Sequence, residues 1–186
     1  MTHKAVVFLA TGFEEIEAIA PIDILRRAGV SVTVCGVGAD SSKVATGTHG
    51  LKIQCDAVIR ELNPDDYTLT YFPGGMPGST NLAGDGEVLE FARRVAANGG
   101  WNCAICAAPL ALDAAGLLEN AEYTCYPGIQ EHIGSGSFTG KYIQRSGRIL
   151  TACGPGASVD FALEILRALD MSAIAGQLAR AMQVKR

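Results

Sequence analysis

The run Ala104-Ile105-Cys106-Ala107-Ala108-Pro109 places one cysteine between a short apolar, strand-like stretch and a helix-like one, with small residues crowding the turn. A sharp strand-to-helix turn of this kind lifts its central side chain above a sheet, and small neighbours relieve the crowding. The following helix would point its positive end at the sulfur and favour thiolate over thiol. A cysteine so placed attacks an electrophile, and nearby backbone N–H groups hold the oxyanion that forms. The plain alternative is a cysteine packed as a small hydrophobe at a strand–helix junction. Cys103 and Cys106 also form a Cys-x-x-Cys spacing. Extended chain separates their Cα atoms by about 10 Å, beyond disulfide reach, and neither a second such pair nor a neighbouring histidine pair completes a zinc site.

A second candidate lies near the start of the chain, where Phe13-Glu14-Glu15-Ile16-Glu17 opens a helical pattern. At about 100° per residue, Phe13, Ile16, Ala20, Ile24 and Ala28 share one apolar stripe. Glu15 then points away, Glu14 sits at the margin, and Glu17 falls inside the stripe. Carboxylates in a first helical turn complement the dipole, which accounts for Glu14 and Glu15. It does not account for Glu17, because a carboxyl on a buried face needs a partner or keeps its proton. A protonated carboxyl there donates a hydrogen bond to a thiolate and later shuttles a proton. A helix face misjudged by one residue is the alternative. Pro21 lacks the N–H that would bond the Glu17 carbonyl, which predicts a kink at this turn. Pro73-Gly74-Gly75-Met76-Pro77-Gly78 is a third candidate. Its glycines admit positive φ and close backbone approach, so its amides can face a pocket; a plain tight turn is the alternative. It is neither a dinucleotide fingerprint nor a P-loop.

The elements that must position these residues alternate between strand-like and helix-like periodicity. Strands are expected at Lys4–Ala10, Val30–Val37, Thr68–Phe72, Asn102–Ile105, Lys141–Gln144 and Ile149–Ala152. Helices are expected at about Phe13–Ala28, closed by Gly29, and at Glu87–Asn98, Ala107–Leu117, Ala157–Leu169 and Ser172–Val184. Ser41–Asp56 reads as a hairpin or edge addition. Such alternation means right-handed βαβ units and a doubly wound, mainly parallel sheet with helices on both faces. Ligands bind at the carboxyl ends of such strands, here Ala10–Glu17, Pro73–Asn81, Ile105–Pro109 and Cys153–Ser158.

Composition bounds the rest. The 186 residues are 48% hydrophobic and 18% charged, with a net charge of −4. That suits one domain burying roughly 70% of its unfolded surface, and an acidic chain without a basic face is not expected to bind nucleic acid. No apolar run approaches the roughly 20 residues of a membrane span, and no signal-peptide pattern precedes Lys4. The expectation is a cytoplasmic protein whose six cysteines are reduced.

Several ordered motifs then agree with one family. Ala10-Thr11-Gly12-Phe13-Glu14-Glu15-Ile16-Glu17, Pro21-Ile22-Asp23, Arg26-Arg27-Ala28-Gly29, Phe72-Pro73-Gly74-Gly75, the Cys106 turn and Gly154-Pro155-Gly156 resemble the ThiJ/PfpI superfamily, in the branch of the parkinsonism-associated deglycase and its bacterial YajL relatives. The resemblance implies a flavodoxin-like sandwich, with residues 1–186 as a single ThiJ/PfpI-like (class I glutamine-amidotransferase-like) domain, and a homodimer. It implies that Cys106 is the reactive cysteine, Glu17 its hydrogen-bonded carboxyl, and Gly75 and Ala107 the oxyanion amides, with Gly74, Tyr126, His49 and Cys153 lining the pocket. It implies no cofactor and no metal. The implied activity is a glutathione-independent glyoxalase or deglycase acting on methylglyoxal, glyoxal and early glycation adducts. The alternative is a redox-sensing, chaperone-like stress protein that uses oxidation of the same cysteine. Tyr126 stands where family members often carry a histidine, Ala107 where protease-like members carry one, and His49 and Cys153 where relatives carry arginines. With His3, His49 and His132 as the only histidines, peptidase and amidotransferase chemistry lacks a base beside the turn.

Overall fold

The structure, a computed structural model, describes residues 3–38 and 43–184. Its strands are β1 (Lys4–Ala10), β2 (Ser31–Val37), β3 (Val44–Thr46), β4 (Lys52–Gln54), β5 (Ala57–Val58), β6 (Leu69–Phe72), β7 (Trp101–Ile105), β8 (Glu122–Tyr123), β9 (Ser137–Phe138), β10 (Ile143–Ser146) and β11 (Ile149–Ala152). Its helices are α1 (Glu15–Arg27), α2 (Gly78–Gly84), α3 (Gly86–Ala97), α4 (Pro109–Ala114), α5 (Ser158–Ala168) and α6 (Ser172–Ala181).

Seven strands form the central sheet in the order β10-β11-β7-β6-β1-β2-β5. All neighbours are parallel except the β10–β11 hairpin. The continuous apolar runs of β1, β6 and β7 follow from this, since inner parallel strands are covered on both faces. Ala5, Val7, Leu9, Tyr71 and Ile105 pack under α1, α5 and α6. Val6, Phe8, Phe72 and Ala104 pack under α2, α3 and α4. The architecture is the expected flavodoxin-like α/β sandwich. The chain leaves β1 for β2 on one side and later returns to β6 on the other, so the strand order reverses between β1 and β6, where such sheets open a ligand crevice.

Most element expectations hold within a few residues. The hairpin is β3–β4; the expected range began at Ser41, which with Ser42 lies outside the described residues. Three differences matter. Helix α2, absent from the expectation, follows directly on the glycine turn; its Gly-Ser-Thr-Asn sequence has no apolar period to read. Helix α4 starts at Pro109 and has only six residues, because Gly116 at φ +72° turns the chain away. The apolar stripe on α1 is also shifted. Phe13 lies before the helix, and Ile16 is exposed, while Ala18, Ile22 and Leu25 face the core with Glu17. The expected stripe was phased from a residue outside the helix. Glu15, expected to point away, is buried. The helix runs through Pro21 from Glu15 to Arg27.

Candidate active site

Cys106 follows the last residue of β7 and adopts φ +62°, a left-handed conformation that costs a non-glycine residue energy and is held only by its surroundings. Two main-chain bonds hold it. The Cys106 amide donates to the Ala152 carbonyl at 2.9 Å, and the Cys106 carbonyl accepts from the Tyr126 amide at 2.9 Å. Ala107 and Ala108 continue as a tight turn, with the Ala108 amide bonded to the Ile105 carbonyl. The sulfur is partly buried. The expectation that a helix start would favour its thiolate is corrected here: α4 begins three residues later and is too short for a strong dipole. The donors to the sulfur are instead the individual amides of Gly75 and Ala107.

Glu17 is fully buried. One carboxyl oxygen, Oε2, accepts from the Gly74 amide at 2.8 Å. The carboxyl interacts with the Cys106 thiol, which lies beside it across Gly74, and Oε1 has no hydrogen-bond partner among the described residues. Burial pushes the Glu17 carboxyl up to about 7. Burial and the Glu17 charge push the Cys106 thiol up as well, against the pull of the Gly75 and Ala107 amides. Glu17 therefore exchanges its proton near neutral pH, while the same burial holds Cys106 as a thiol.

The glycine turn closes this arrangement. A Cβ on Gly74 would stand 2.5 Å from Glu17 Oε2 and 2.6 Å from the Cys106 Cβ. Gly74 also accepts from the Glu14 amide through its carbonyl at 2.8 Å, so the β6 loop and the start of α1 are tied in both directions. Gly75 adopts φ +90° against the backbone of Gly12, Phe13 and Glu14.

Three supporting groups were not foreseen. Glu14 caps α1, its Oε2 accepting from the Glu17 amide at 2.7 Å. The buried Tyr71 hydroxyl donates to the Glu17 carbonyl at 2.7 Å, filling the vacancy left by Pro21; that proline four residues after Glu17 was the sequence signal. The third is Glu15, whose carboxylate accepts from the His49 amide at 2.7 Å and meets His49 Nδ1 at 2.8 Å. Burial raises the Glu15 carboxyl, but the His49 hydrogen bonds outweigh it and hold the group below its ordinary value. Two carboxyls two residues apart are thus driven in opposite directions.

The structure brings Glu17, Gly74, Gly75 and Ala107 around Cys106, with Tyr126 joined to it through the backbone. The Tyr126 ring is half exposed and lies over Gly154. Cys153 is partly buried against the same apolar cluster as Cys106. His49 is brought to Glu15 at the surface rather than into contact with the sulfur.

A family model described as the DJ-1/PfpI family matches residues 3–168. The chain belongs to the DJ-1/PfpI family. It is 32% identical to the Parkinson disease protein 7 homolog of Danio rerio over 94% of both chains. It is 31% identical to the glutathione-independent glyoxalase DJR-1.2 of Caenorhabditis elegans over 84% of this chain and 83% of that one. It spans only 38% and 43% of the lengths of the Arabidopsis thaliana DJ-1 homologs B and A. The crystal structure of Drosophila melanogaster DJ-1beta superposes with a TM-score of 0.94 at 30% identity, covering both chains completely. Family membership agrees with the flavodoxin-like sheet. No helix among the described residues is long and apolar enough to cross a membrane.

Proposed function

We propose that the chain is a cysteine-dependent, cofactor-independent glyoxalase or deglycase that acts on methylglyoxal or glyoxal and on early glycation adducts. The observation that carries this reading is the fully buried Glu17 carboxyl, poised near pH 7 and beside a cysteine that also faces two backbone amides. The Cys106 thiol passes its proton to Glu17 as sulfur adds to the aldehyde carbon. The Gly75 and Ala107 amides hold the oxygen on which charge develops. The proton returns to that oxygen, giving a hemithioacetal. Glu17 then takes the proton from the former aldehyde carbon, forming an enediol, and returns it to the neighbouring carbon. The product is a thioester that water cleaves to lactate. On a glycated amine, the hemithioacetal resolves after the amine leaves.

The test is methylglyoxal consumption and lactate formation by wild type, Cys106→Ser and Glu17→Gln. Removal of the nucleophile abolishes turnover. Loss of the proton shuttle costs about 10²–10⁴ in rate. Wild-type turnover no faster than Cys106→Ser would refute the reading. A redox-sensing, chaperone-like role is the second reading, supported by the same amides, which can hold sulfinate oxygens as well as a substrate oxyanion. Mass spectrometry after dilute peroxide separates the two: selective gain of oxygen at Cys106 supports it, and uniform oxidation of all six cysteines refutes it.

The active unit in this reading is a single-domain subunit of a homodimer. Supporting this, Ile16, Ile19 and Leu51 are 57%, 39% and 55% exposed on one side of α1, a contiguous apolar face of the kind that marks interaction surfaces. Its place of action is the cytoplasm, consistent with six unpaired cysteines.

A further inference from the structure

Of the six cysteines, four are buried and two are partly exposed, Cys106 and Cys153. The β7–β11 register pairs Ile105 with Ala152, and one step further it brings Cys106 beside Cys153. The bond from the Cys106 amide to the Ala152 carbonyl continues the ladder to this point. Parallel neighbours lie about 4.8 Å apart, inside the roughly 4.4–6.8 Å Cα span of a disulfide. Both side chains pack against the same apolar cluster under α1 and α5, so they lie on the same face of the sheet. The Glu17 charge also acts on both thiols.

We propose that Cys153 is the resolving thiol of Cys106, and that hydroperoxide oxidation of Cys106 ends in a Cys106–Cys153 disulfide. This rests on Cys106 being reactive, as the proposed activity also requires. Cys106 gives its proton to Glu17, and its sulfur attacks one oxygen of the hydroperoxide. An S–O bond forms, the O–O bond breaks, and the departing oxygen takes the proton from Glu17 and leaves as water or an alcohol. Cys153 Sγ then attacks the sulfenic sulfur of Cys106. The S–S bond forms, the S–O bond breaks, and the hydroxyl leaves as water with the proton of Cys153. Two electrons pass from the two sulfurs to the peroxide. The disulfide protects Cys106 from irreversible oxidation and stays reducible by an external thiol.

The experiment treats the reduced protein with one equivalent of hydrogen peroxide, denatures and alkylates it, and maps its peptides by mass spectrometry. Wild type should fall from six alkylatable thiols to four, with a Cys106–Cys153 linked peptide that dithiothreitol dissolves. Cys153→Ala should stop at the sulfenic acid of Cys106 with one equivalent and go on to sulfinic acid with a second, with no linked peptide in either case. Sulfinic acid at Cys106 of wild type, with Cys153 still alkylated, overturns the proposal and leaves the nucleophile in place. A Cys106 untouched by peroxide and by iodoacetamide in the folded protein overturns both this proposal and the proposed activity.

Discussion

Glu17→Gln is the substitution that most directly tests the physical account of the site. A carboxyl that titrates at 4.5 in an unfolded chain and at about 7 in the folded one binds its proton more tightly when folded. Its stabilising effect is therefore complete below pH 4.5. It declines as pH rises, because the unfolded chain ionises while the folded one cannot, and it is gone once pH passes 7. The difference between 4.5 and 7 corresponds to roughly 3 kcal/mol, since burial leaves little solvent to screen the charge. Glutamine keeps the acceptor for the Gly74 amide and cannot ionise. Urea unfolding from pH 4 to pH 9, in a Cys106→Ser background so that the thiol does not titrate, should show the protein with Glu17 losing roughly 3 kcal/mol relative to its Glu17→Gln counterpart as pH rises. In thermal melts of a chain this size that is about 6–12 °C. Two stability curves that run parallel over this range would show that the carboxyl is not held protonated by burial, and the proton-shuttle role would fall with it.

Other consequences are checked more simply. Gly74→Ala drives a methyl group into Glu17 Oε2 and the Cys106 Cβ, so it should cost about 1–3 kcal/mol of stability and most of the methylglyoxal turnover; an active Gly74→Ala enzyme would refute the packing argument. Tyr71→Phe leaves the buried Glu17 carbonyl without its donor and should cost about 1–3 kcal/mol in urea unfolding, with a change under about 0.5 kcal/mol counting against it. Ile16→Asp places a charge in the exposed apolar face of α1, and sedimentation velocity should report a single-chain mass where wild type sediments as two chains; an unaltered dimer would move the interface elsewhere.

The sheet was legible because its inner strands are uninterrupted apolar runs and its helices carry a 3.6-residue period, two signals that burial imposes directly. Helix α2 was not, because Gly78-Ser79-Thr80-Asn81 has neither period nor strong propensity and is helical through its place between the glycine turn and α3. Within the site, Cys106 and Glu17 stood out as residues whose local setting contradicts their type, one reactive group at a crowded turn and one carboxyl on a buried face. Periodicity pointed to Glu17 from a misphased helix, as the exposed Ile16 and the buried Glu15 show. Its carbonyl partner Tyr71 lies 54 residues away, and that pairing exists only once β6 lies beside β1. The amides that surround Cys106 are equally invisible to side-chain patterns, because every residue but proline has one.

The main-chain bond from Tyr126 to Cys106 separates two jobs that a single residue could have combined. The strained turn is braced by an amide that any amino acid but proline supplies, while the ring of Tyr126 stands half in solvent over Gly154. Replacement at position 126 can thus change what meets the mouth of the site without loosening the cysteine beneath it. The side chain at position 126 is free to vary, and the backbone that holds the Cys106 turn is carried through unchanged.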